Sequence, residues 1–149
     1  MGVKFQITIT IDAPIEKVWR KIVDWESQGQ WMAMTRVHAS HRGADDSAVG
    51  TTIDAFTGIA KIGILDRMQV TEWNPPELCV VEHYGRVIKG VGIFRLRSMS
   101  DEVAGRTEFF WFEEINGFRP LLLLLKPGIM VAVYFSLRKF ARTFARKER

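Results

Sequence analysis

From Val3 to Ile11, Val3, Phe5, Ile7, Ile9 and Ile11 alternate with Lys4, Gln6, Thr8 and Thr10. This is the two-residue period of a strand with one buried face. Asp12-Ala13-Pro14 interrupts it; Asp12 can cap a helix and Pro14 suits a first helical turn. Ile15, Val18, Trp19 and Ile22 then fall at helical steps and predict a short amphipathic helix to about Asp24. Glu26 to Met32 predicts a second short helix or turn, with Trp31 turned inward. Strands are predicted over Arg36–His41, Thr51–Phe56 (closed by Gly58), Lys61–Trp73, Leu78–Tyr84, Ile88–Arg97 and Arg106–Ile115. GADDSAVG, Asn74-Pro75-Pro76 and SMSDEVAG separate them, because proline and turn formers do not extend a ladder.

Two carboxylates fall on apolar strand faces. Asp66 shares a face with Ile64, Met68 and Val70, and Glu82 shares one with Val80 and Tyr84. Arg106–Ile115 is apolar on both sides, with Trp111 opposite to Phe110 and Phe112, so its phase stays open.

After Asn116-Gly117 the period becomes helical. Met130, Val133, Tyr134, Leu137, Phe140, Ala141 and Phe144 lie on one face of an amphipathic C-terminal helix. Leu121–Leu125 predicts a first helical piece, broken at Lys126-Pro127-Gly128. A membrane span needs about 20 apolar residues, and a charge and a proline divide this run, so a spanning segment is not expected. More leucines than one buried face needs leave a lid, a membrane-surface contact or a homodimer face as roles for Leu121–Leu125. The expected architecture is α+β: a curved antiparallel sheet of about six to seven strands around a long C-terminal helix, with two short helices after the first strand. All 149 residues fit one domain.

Charge adds one feature. The chain carries net +4, and from Arg138 to Arg149 there are six Lys/Arg and one acid, so a near-neutral domain ends in a basic segment. Basic residues confined to one end do not make a nucleic-acid face, and no nucleic-acid partner is expected. They suit an anionic membrane surface or a solvated helix end. The single cysteine, Cys79, excludes an internal disulfide. MGVKFQITI lacks the uncharged apolar core of a secretory signal, so a cytoplasmic location is expected.

Chemistry-bearing motifs are few. His38, His41 and His83 lack metal-ligand spacing and read as surface histidines; no metal or cofactor is expected. Cys79 sits in the apolar stretch LCVV and reads as an inert small hydrophobe. Nucleophile elbows and phosphate-binding glycine loops are absent. Asp66 and Glu82 remain as acid–base candidates, because an apolar surrounding raises a carboxyl pKa.

The stretches ITIDAPIEKVWRKIVDWESQGQW, VGTTIDAF and VTEWNPPELCVVEHY resemble the START-like helix-grip (SRPBCC) superfamily, which includes polyketide cyclase/dehydrase and lipid transport proteins. The resemblance covers essentially the whole chain. It implies a hydrophobic cavity between sheet and long helix, occupied by a lipid, sterol or polyketide-like molecule. The expected wall is Ile53, Met68, Val80, Phe94 and Trp111 from the sheet and Met130, Val133, Tyr134 and Leu137 from the helix. Trp31 is expected at the mouth or in the core, and Asp66, Glu82 and Tyr84 are expected to orient the ligand's polar end. Binding or transport without catalysis is the leading expectation. The alternatives are a polyketide cyclase, aromatase or dehydratase using the cavity carboxylates, and an interaction or dimerisation module with a filled core. No catalytic motif carries over.

Overall fold

The computed structural model describes residues 2–40, 48–99 and 105–145. β1 (Val3–Ile11) leads into α1 (Ile15–Ile22) and a 3-10 segment (Trp25–Gln30). Six strands follow: β2 (Thr35–Ser40), β3 (Thr52–Ile59), β4 (Ile62–Asn74), β5 (Leu78–Tyr84), β6 (Lys89–Ser98) and β7 (Thr107–Asn116). α2 (Arg119–Ala145) closes the fold. The strands make one antiparallel sheet in the order β1-β7-β6-β5-β4-β3-β2. Consecutive strands from β2 to β7 pair as neighbours, while the two short helical segments carry the chain from β1 to the opposite edge. This is a helix-grip fold. Parts of GADDSAVG and SMSDEVAG, His41 and the last four residues lie outside the described residues.

Three local expectations are corrected. Pro14, in an extended conformation, is the N-cap of α1, and no side chain caps it. Asp12 instead accepts a hydrogen bond from Arg106 Nε at 2.9 Å, and Thr107 Oγ1 donates to the Ala13 carbonyl at 2.7 Å. The turn after β1 is thereby tied to the start of β7. β3 does not stop at Gly58, which pairs with Gly63 across a tight hairpin. A Cβ on Gly58 would lie 2.5 Å from Gly63 Cα, so the close approach needs glycine there. Finally, α2 runs unbroken through Lys126-Pro127-Gly128. Pro127 offers no N–H to the Leu123 carbonyl, but that turn is exposed and water can take the lost place.

The core fills one end of the concave side. Trp19 packs on Trp73 (4.9 Å between ring centroids), Phe94 on Phe109 (5.8 Å) and Phe140 on Trp31 (4.9 Å). A bulge between Val70 and Glu72 resets the phase of β4, so Trp73 falls opposite Cys79. Burial pushes the Cys79 thiol up to about 12, which keeps it protonated and unreactive. α2 packs chiefly along β1. Its C-terminal half is seated through Ser136, Leu137 and Phe140, whereas Leu121, Leu123, Leu124, Leu125, Val131, Tyr134 and Phe135 are exposed. By length and composition alone Arg119–Phe144 could cross a membrane, but Leu137 and Phe140 belong to the core of this fold.

Candidate functional site

Directly opposed residues in antiparallel strands share a face, so the register defines the concave side. It carries Ile53, Asp66, Met68, Val81, His83, Phe94 and Trp111. β1 supplies Phe5 opposite Glu113 and Ile7 opposite Trp111. Of the sequence candidates, Asp66, Met68 and Phe94 are half-buried there, as are Met130 and Val133 on α2. Trp31, Ile53, Trp111 and Leu137 are buried and belong to the packed core.

Four candidates are placed differently. Val80, Glu82 and Tyr84 lie on the convex face, because Cys79, Val81 and His83 are the buried set of β5. Tyr134 turns out of the face made by Met130, Val133 and Leu137 and is exposed. An acid–base role for Glu82 inside the concavity therefore has no geometric basis.

His83 is the largest departure from the sequence reading. It is not a surface histidine: its side chain is 0% exposed, against 17% for Asp66 and 24% for Glu113. Its Nδ1 lies 2.8 Å from Asp66 Oδ1, and its Nε2 lies 3.6 Å from Glu113 Oε1. The second distance is too long for a hydrogen bond, and Nε2 is buried without a partner.

β6 makes this reach possible. Gly90 and Gly92 are successive concave positions, paired with His83 and Val81 on β5 and with Ile115 and Glu113 on β7. A Cβ on Gly92 would sit 3.2 Å from His83 Nε2 and 3.0 Å from Val81 Cγ2. The bare stretch of β6 lets an imidazole from β5 approach a carboxyl from β7.

The charges reinforce one another. Burial works against an imidazolium at His83, but the Asp66 hydrogen bond and the Glu113 and Asp66 charges outweigh it, and the pKa is raised. Burial pushes the Glu113 carboxyl up to about 7, with the Asp66 charge adding and the His83 charge opposing. His83 and Glu113 thus both hold their protons more tightly than free side chains do, and Glu113 is the most exposed member of the cluster. No group of three or more His, Cys, Asp or Glu suited to a metal is found among the described residues.

A separate recess of about 580 Å³ lies at the other end, between α1 and the last turns of α2, lined by Lys17, Arg20, Asp24 and Phe144 among others. It does not lie between sheet and helix.

The fold is shared with solved structures of low sequence identity. A START superfamily protein from Mycobacterium smegmatis matches with TM-score 0.76 at 12% identity, covering 96% of this chain and 99% of that one. The Zhui aromatase/cyclase from a Streptomyces species matches with TM-score 0.77 at 14% identity, covering 100% and 97%. The Aha1 dimer from Colwellia psychrerythraea matches with TM-score 0.60 at 17% identity, covering 89% and 91%. Among curated proteins, none matches the sequence. The model of the family described as polyketide cyclase / dehydrase and lipid transport matches residues 2–145, nearly the whole chain, and the protein belongs to that family.

Proposed function

We propose that the protein binds and carries an apolar small molecule in a groove between the concave face and the N-terminal half of α2. The observation that carries this is the half-buried apolar lining of Met68, Phe94, Ile115, Met130 and Val133 around one polar cluster. Binding sites for small molecules have this composition, mostly apolar with a few convergent polar groups. Burial of ligand surface supplies about 25 cal/mol per Å² of apolar area. Membership in a family of cyclases and lipid transport proteins supports the same reading.

The test is saturable binding of a neutral apolar fluorophore, N-phenyl-1-naphthylamine. Val133→Trp, which places a large ring in the groove, is expected to weaken binding at least about tenfold, the factor set by 1.4 kcal/mol. Its urea midpoint should stay near the parent's. Absence of saturable binding, or an unaltered affinity in Val133→Trp, removes the proposal.

The exposed apolar side of α2 favours loading at a membrane surface. Leu124 is 76% exposed and Phe135 65%, and Arg119 and Lys126 flank the leucines. A helix with apolar residues on its exposed side and cations nearby can lie in the interface of an anionic bilayer. Co-sedimentation with vesicles of phosphatidylcholine and phosphatidylserine is expected for the parent and lost in Leu124→Glu. If the parent stays in the supernatant and runs as a concentration-dependent dimer that Leu124→Glu dissociates, the face joins two copies instead. A single buried cysteine suits a reducing, cytoplasmic setting.

A further inference from the structure

The concave face limits what the polar end of such a molecule can be. Among the described residues the strands place no lysine or arginine on it; its charged members are Asp66 on β4, His83 on β5 and Glu113 on β7. From α2, Lys126 Nζ reaches over the Phe5 ring, 5.8 Å from its centroid, and Phe5 is the strand neighbour of Glu113. A ligand carboxylate or phosphate at the cluster would face two carboxyl groups with one lysine at the rim. The cluster itself is unfinished: the fully buried His83 points Nε2 toward Glu113 without bonding it, while Asp66 holds the other side of the ring. Glu113 is the most accessible of the three, with 24% of its side chain exposed against 17% for Asp66 and none for His83, so a ligand meets Glu113 first.

We propose that the bound molecule ends in an uncharged hydrogen-bond acceptor, a ketone or ester carbonyl, held by the Glu113 carboxyl as donor with His83 and Asp66 behind it, and that fatty carboxylates are excluded. The inference rests on the ligand-binding reading above and names the polar chemistry of that site. A protonated Glu113 ends the repulsion with Asp66 and turns an O–H toward the groove. The carboxyl's rise to about 7 keeps that proton available near neutrality. Gly92 is part of the device, because a side chain there would crowd His83 Nε2 and the Glu113 carboxyl.

The test displaces N-phenyl-1-naphthylamine with two probes of similar length, tridecan-2-one and dodecanoate. At about pH 6 the parent is expected to prefer the ketone by at least about tenfold, and ketone affinity should fall as Glu113 ionises toward about pH 8.5. Glu113→Gln keeps a neutral donor, so its ketone preference should persist at both pH values. Glu113→Leu should bind the fluorophore and lose the preference. Dodecanoate equal to or better than the ketone at the lower pH, or an undiminished preference in Glu113→Leu, overturns the inference while ligand binding stands. Failure of the fluorophore to bind the parent overturns both.

Discussion

Phe140→Ala is expected to destabilise the protein by about 3–5 kcal/mol, the usual cost of removing a fully buried phenylalanine ring. Phe140 has no exposed surface and lies within 4.9 Å of Trp31, 6.4 Å of Phe109 and 5.3 Å of Phe144, measured between ring centroids. It therefore joins the turn after the 3-10 segment, the first part of β7 and the end of α2 at one point. Its weight comes from the uneven seating of α2. The N-terminal half of that helix offers the sheet Leu122, Met130 and Val133, all partly exposed, while Leu137 and Phe140 are buried. The cavity left by truncation cannot be filled by the exposed half without moving the helix along β1. The check is the urea unfolding midpoint of Phe140→Ala beside Phe135→Ala. Phe135 is exposed, so its truncation should change stability by no more than about 0.5 kcal/mol. Equal small shifts in both variants would mean that α2 is not anchored at Phe140. Fluorophore binding should fall with Phe140→Ala as well, since the groove needs the helix in place.

The architecture was legible because the chain writes it in two clear periods. Val3–Ile11 and Leu78–Tyr84 have the bounds that alternation predicts, and the stops at Pro14 and Asn74-Pro75-Pro76 are chemical. Phase was harder to read where both faces of a strand are mixed. In β5, Val80, Glu82 and Tyr84 compete with Cys79, Val81 and His83 for the inner face, and residue types alone do not separate the two sets. Only the register does, because Asp66 comes from β4 and Glu113 from β7. Two signals pointed the right way. Gly90 and Gly92, two apart in a strand, strip one face of side chains and imply that something from a neighbour crosses there. Glu113 lies two residues from Trp111 and therefore on its face, but with Glu114 beside it the pair looks like a solvated strand end. At Pro127 residue type alone misleads, because an exposed helical turn tolerates the loss of one hydrogen bond.

The buried cluster should also make stability fall as pH rises, against the usual behaviour of carboxylates. Glu113 has a folded-state pKa near 7 where 4.5 is ordinary, so the folded protein holds this proton more tightly than the unfolded chain does. Its contribution is fully present below about pH 4.5 and is lost as pH rises toward about 7. His83 acts in the same direction: its raised pKa gives stability present below the ordinary 6.5 and lost as pH rises through the folded value. The groups facing the pair are Asp66 on β4 and, over Phe5, Lys126 on α2. For Glu113 the loss is on the order of 3 kcal/mol at most, reduced by the 24% of its side chain that water still reaches. Urea midpoints of the parent and Glu113→Gln, taken from about pH 5 to about pH 8, separate Glu113, together with the part of the His83 shift that its charge supplies, from the other titrations in the chain. The parent should lose stability relative to Glu113→Gln across that range, because the amide stays neutral and has nothing to ionise in a buried place. A difference between the two that stays constant with pH would mean that Glu113 ionises as freely in the folded protein as in water, and the proton that is proposed to meet the ligand's carbonyl would then be missing near neutrality.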